Sequence, residues 1–150
     1  MHTFPRRIAY QKLAPGSVAV TTIGSIFVVT LTEILRIVVP SQPVPVKLMA
    51  KGTMLNNGVS GTNGDAYLGI APAGIVGAAV AAAACVDSQG ELNIGGTTTE
   101  PPGRRFAVSY WLPPNTGGDF ILGAWRETGS DAVNLVANSL IPCELEAVRG

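Results

Sequence analysis

Histidine is almost missing from this chain of 150 residues: the single one, His2, lies one residue in from the amino end. A Ser-His-Asp or Cys-His nucleophile system therefore has no base in the body of the sequence. Cysteine is scarce too. Cys85 and Cys143 stand far apart and form no CxxC, which excludes a zinc ribbon or dithiol motif. They read as reduced, buried small apolar residues, with a disulfide between them as the other reading. The aspartates Asp65, Asp87, Asp119 and Asp131 are isolated from one another, so no calcium loop is present. The glycine-rich run 57–64 lacks the lysine and hydroxyl of a phosphate-binding loop.

Charge is the next scarcity. Charged residues are 13% of the chain, against roughly 25% in an average soluble protein. The formal net charge is +0, which argues against nucleic acid as the main ligand, because phosphate neutralisation calls for an excess of Lys and Arg. With 47% apolar residues the chain is equally far from a disordered composition. Long apolar runs are absent as well. Arg6 and Arg7 are followed by no signal-type hydrophobic stretch, and the uncharged segment 69–86 is interrupted by Pro72 and three glycines and has alanine as its commonest residue. No membrane insertion is expected.

What is abundant is punctuation: 18 glycines and 11 prolines interrupt any long helix. Between them lie short β-branched runs. Segments 18–23, 26–39, 46–50 and 65–70 read as strands, with 26–39 divisible into two strands bent near Glu33. Segment 75–86 fits either a short helix or a tightly packed buried strand, and the strand is preferred. Segment 106–112 places Phe106, Val108, Tyr110 and Leu112 on one face. Asn115-Thr116-Gly117-Gly118 reads as a hairpin loop returning into 119–127. Val133, Leu135 and Ala137 alternate with Asn134, Val136 and Asn138, and Glu144 and Glu146 point away from Leu145 and Ala147. About eight or nine strands joined by turns mark an all-β fold, an antiparallel sandwich or barrel.

Residues 1–51 carry six basic residues against Glu33 alone, a net +5; the remainder carries four against nine acids, a net −5. Residues 1–15 are read as a basic amino-terminal arm and 16–150 as one β-sandwich domain. The arm, through Arg6 and Arg7, could dock on a neighbour, or these charges could simply solvate separate strand faces. So little ionic cover is common where a surface is shared with identical copies or a larger assembly.

The carboxyl-terminal run FAVSYWLPPNTGGDFILGAWRETGSDAVNLVANSLIPCELEAVRG resembles small β-sandwich modules of tailed-bacteriophage virions, found in minor tail proteins, fibre tips and head decoration proteins. The modules' closing pattern falls here on Ala124, Trp125, Arg126, Gly129, Val133, Leu135, Pro142, Leu145 and Glu146, and ILRIVVPSQPVPVKLMAKG resembles their earlier paired strands. The resemblance implies an antiparallel jelly-roll sandwich, similar to the tumour-necrosis-factor and C1q type, assembled as a homotrimer. It implies a non-enzymatic virion component bound to the major capsid protein or to tail proteins, with no cofactor. Met1 with no fibrous shaft behind it suggests an independent decoration or tail-tip subunit.

Aromatic residues offer an alternative, a carbohydrate-binding module for a host surface glycan. Trp111 is out of phase with Tyr110, so one of the two faces outward, and Trp111 or Trp125 would have to be exposed beside Asn115 or Asn134. The candidate contacts are thus Trp111, Trp125, Arg6 and Arg7. Core or subunit packing is the competing reading for both tryptophans. A structural ion pair with Glu127 or Glu144 is the competing one for Arg126. Ten acids leave a glycosidase-type carboxylate pair open, but none stands in recognisable context and no catalytic or metal-ligating residue is assigned.

Overall fold

Lysine alternating with apolar residues from Val46 to Lys51 makes a strand with one buried and one wet face, and the first sheet is organised about it. The computed structural model describes residues 5–21, 23–24, 28–30, 32–56, 64–73, 79–81, 87–94, 103–127 and 133–150. Its strands are β1 (Arg6–Lys12), β2 (Gly16–Ala19), β3 (Ile23–Gly24), β4 (Val28–Thr30), β5 (Thr32–Val39), β6 (Val46–Asn56), β7 (Gly64–Pro72), β8 (Ala79–Ala81), β9 (Asp87–Ile94), β10 (Gly103–Leu112), β11 (Gly118–Glu127), β12 (Val133–Ala137) and β13 (Glu144–Arg149). Among the described residues, nine of these run five residues or longer: β1, β5, β6, β7 and β9 to β13. The protein is all-β, and among the described residues every pairing is antiparallel except a short parallel contact between β3 and β11.

In the first sheet β10 lines one edge of β6 along its length. On the other edge β13 pairs with residues 46–51 and β12 with residues 53–56, so the two form one interrupted row. β1 and β2 form the next row, against β13 and β12 respectively. In the second sheet β11 lies between β5 and β7, with β9 beyond β7. β4 and β8 make a separate pair. The core between the sheets holds Val46, Leu48, Ala50 and Met54 of β6, Phe106 and Val108 of β10, Leu135 and Leu145, and from the second sheet Leu35, Ile37, Leu68, Ile70, Phe120 and Leu122.

Three expectations change here. The turn after Leu112 is no hairpin: β10 pairs with β6 and β11 with β5 and β7, so the turn carries the chain from one sheet to the other. Residues 6–12 are no free arm, because they pair with β13 as a strand of the first sheet, and Ile8 and Ala9 pack against the core. A register shift between Arg7 and Ala9 lets two consecutive apolar side chains face inward, which hides the strand from a reading of alternation. Trp125 is no surface contact, because its ring is fully buried. Of segment 75–86, Ala79–Ala81 is a strand and the rest, with Cys85, lies outside the described residues.

Where the row of β12 and β13 is interrupted, β6 places Gly52 opposite the break. A Cβ there would lie 2.8 Å from the tip of the Phe106 ring and 3.1 Å from Cys143 Sγ, so the absent side chain lets both close over the gap. Cys143 is a free, buried thiol, and burial followed by the nearby Glu144 charge pushes its pKa up to about 11 from 9.0. With the folded value above the unfolded one, the neutral thiol's share of stability is intact below pH about 9. It is lost as the pH rises toward 11, because only the unfolded chain ionises freely in that window. Urea denaturation across this range should show the wild type losing up to about 2 kcal/mol more than Cys143→Ala. Parallel pH profiles for the two proteins would refute this.

Candidate functional site

The outward face of the first sheet carries the polar half of each alternating strand, and strand register decides which of those side chains meet. One cross-strand row is Trp111, Lys47, Val148 and Arg7; the next is Ser109, Met49, Glu146 and Tyr10; the third is Ala107, Lys51, Glu144 and Lys12. On the edge strand β10 the outward positions read Arg105, Ala107, Ser109, Trp111, large at both ends and small between. The small side chains of Ala107 and Ser109 leave the face hollow there. A cavity of about 350 Å³ opens there, floored by Met49, Ala107 and Ser109 and walled by Lys47, Lys51, Glu144 and Glu146.

A chain of polar contacts fixes the wall. Arg7 Nε lies 2.7 Å from Glu146 Oε2, and the Arg7 guanidinium sits 4.1 Å from the centroid of the Tyr10 ring. The Tyr10 hydroxyl donates to Glu144 Oε1 at 2.9 Å, and Lys51 Nζ lies 3.4 Å from Glu144 Oε2. Desolvation acts to raise the Glu144 pKa, but the donors from Tyr10 and Lys51 outweigh it and hold the carboxyl below its ordinary value. The same hydrogen bond to Glu144 raises the Tyr10 phenol, so the contact favours a protonated phenol on an ionised carboxylate. Exposed pairs of this kind add little to stability, being screened by water. Their effect is to order side chains around the hollow rather than to stabilise the fold.

Trp111, the register partner of the wall residue Lys47, is 56% exposed, with Lys47 Nζ 5.7 Å from its ring centroid. Tyr110 faces the core, so the phase argument for the pair holds. Trp125 is fully buried in the other sheet. Its strand is the central one, covered on both faces, and the ring has no solvent-facing surface to offer a ligand. Arg7 shares the Trp111 row three strands away, about 14 Å at the usual strand spacing. Arg6 pairs in register with Arg149 at the end of the sheet and lies outside this hollow. Asn134 is opposite Leu55, eight residues along β6 from the partner of Trp111, about 26 Å away. Glu144 pairs with Lys51 and Tyr10 and belongs to a different sheet from Arg126, so it is not that arginine's partner.

The residues missed at first, Lys47, Lys51, Tyr10 and the two glutamates as one cluster, carried a signal only in part. Alternation marked Glu144 and Glu146 as outward, Tyr10 lies in the strand that the bulge hides, and the adjacency of all five depends on register between strands distant in sequence. The chain matches no family model, and no curated protein matches it.

Proposed function

We propose that the chain is a non-enzymatic structural component of a tailed-bacteriophage virion, a jelly-roll sandwich assembled as a homotrimer on the capsid exterior or the tail. The supporting observation is where the closing sequence pattern falls in the fold. Ala124, Trp125, Val133, Leu135 and Leu145 are all buried, and Glu146 is turned outward with its partner Arg7. Four of these positions, Ala124, Val133, Leu135 and Leu145, pack the core between the two sheets, and Trp125 is buried on the opposite face of its strand, a division of roles that fits a shared architecture. Sparse surface charge fits a body whose remaining faces are covered by sister copies or a supporting protein.

Light scattering on the purified chain is expected to give a trimer mass. Mass spectrometry of purified particles of the encoding phage is expected to find the chain in fixed proportion to the major capsid or tail proteins. A dispersed monomer together with absence from particles would overturn the proposal.

Recognition of a host surface glycan is the second reading, and the exposed Trp111, paired with a lysine in the wall of a hollow that also holds Glu144 and Glu146, is what favours it. A pyranose ring stacks on an indole face while hydroxyls reach Ser109, Lys47 or Glu146. Trp111→Ala should then abolish binding to host cells while changing stability by less than about 0.5 kcal/mol, as exposed substitutions do, and leaving particle incorporation intact. Unchanged cell binding by this variant excludes the glycan role for this face.

A further inference from the structure

At the end of the first sheet where β1 begins and β13 finishes, Arg6 and Arg149 are direct cross-strand partners. Like charges opposite one another in an antiparallel pair are destabilising. Neither arginine enters an ion pair among the described residues: those pairs involve Arg7, Arg36 and Lys51. Arg149 Nη1 donates to Gln42 Oε1 at 3.2 Å, a neutral acceptor that orients the guanidinium and leaves its charge uncancelled.

Around this pair is an open cavity of about 380 Å³, lined by Arg6, Arg7, Ile8, Pro40, Gln42 and Arg149, with no carboxylate among the lining residues. Arg7 is oriented by Glu146 and the Tyr10 ring and forms one wall, while neither Arg6 nor Arg149 meets a carboxylate among the described residues. A concave surface lined by one sign of charge concentrates counter-ions, and guanidinium forks match planar or tetrahedral oxyanions with paired hydrogen bonds.

We propose that this cavity binds a compact oxyanion, a phosphate, sulfate or carboxylate group, seated between Arg6 and Arg149 and relieving their repulsion. The group could come free in solution or as the pendant acid of a saccharide, since the arginines read the oxyanion in both cases. This site is separate from the Trp111 hollow and does not depend on the virion reading.

The test is the melting temperature of the full chain as chloride is exchanged for inorganic phosphate at constant ionic strength. The expected result is a saturable rise of about 3 °C, absent from Arg6→Gln and Arg149→Gln. Arg6→Glu turns the repulsive pair into an attractive one, so it should melt higher than the wild type in chloride and ignore phosphate. If Arg149→Gln does not fold, Arg6→Gln on its exposed strand carries the comparison. A stronger response to glucose 6-phosphate than to phosphate, with none to glucose, identifies a pendant acid as the source; an equal response identifies the free ion. No rise beyond the chloride control, or an equal rise in Arg6→Gln, overturns the site. So does self-association that Arg6→Glu abolishes while phosphate has no effect, which would assign the arginines to a contact between copies.

Discussion

Trp125→Ala should lower the unfolding free energy by about 3–5 kcal/mol, the usual range for truncating a buried tryptophan, and it is the most damaging single change expected in the described residues. The reason lies in β11. Phe120, Leu122 and Ala124 point into the core between the sheets. Ile121 and Trp125 point the other way and are nonetheless fully buried, as is Ala71, the register partner of Ile121. Ladders to β5 on one edge and β7 on the other fix the strand's position, so the sheet cannot slide to fill the space an indole leaves. Urea unfolding should show a lower midpoint with an unchanged slope, and Trp125→Phe should retain most of the loss-prone packing. A cost for the alanine variant below about 1 kcal/mol would mean that this face of β11 is not tightly packed. Fluorescence gives an independent check: Trp111→Phe leaves the blue emission of a buried indole, and Trp125→Phe leaves the red emission of an exposed one.

The second large effect belongs to Gly117, in the turn that carries the chain between sheets. A Cβ there would fall 2.6 Å from the Val39 carbonyl oxygen and 2.7 Å from the Ser41 nitrogen. Both are backbone atoms and cannot rotate aside. Gly117→Ala must push the turn away from residues 39–41, breaking the bond that the Asn115 N–H donates to the Gln42 carbonyl at 2.6 Å. The expected cost is about 2–3 kcal/mol, at the upper end of overpacking penalties. Gly118 beside it differs: its φ of +138° is hard for any other residue, yet its Cβ direction is open apart from the Phe120 ring edge at 4.0 Å. Gly118→Ala therefore carries only backbone strain, about 1–2 kcal/mol. Thermal melts of the two variants should rank Gly117→Ala as the worse. The reverse order would show that conformation, not contact, governs this turn.

Fold class was legible in the sequence because alternation and turn residues are local properties. Lys47 and Lys51 against Leu48 and Ala50, or Glu144 and Glu146 against Leu145 and Ala147, announce a strand with one wet face wherever they occur, and the structure places all eight as that pattern requires. Pairing was not legible. Asn115 to Gly118 signals a reversal, and nothing in those residues says whether the returning strand lies beside its predecessor or across the core from it. β11 misled for a related reason: an unbroken apolar run says that both faces are covered, but a tryptophan within it looks the same as one meant for a ligand. β1 was hidden by the bulge at Ile8, which puts its charged residues out of step. For the outer-face site, the orientation of Trp111 followed from its phase with Tyr110. Its neighbours Lys47 and Arg7 followed only from the registers of three ladders.

The interruption between β12 and β13 also bears on what can be attached to this protein. The excursion closes on itself: Asn138 Oδ1 accepts the N–H groups of Leu140 and Ile141 at 2.8 and 2.9 Å, and the Asn138 N–H donates to the Ile141 carbonyl at 3.3 Å. β6 meets its partners on either side of the break without help from the loop's crest, where Leu140 is 88% exposed. A foreign peptide spliced at Leu140 would thus project from the protein while the ladders beneath keep their register, making this crest the natural point for peptide display or for a fluorophore.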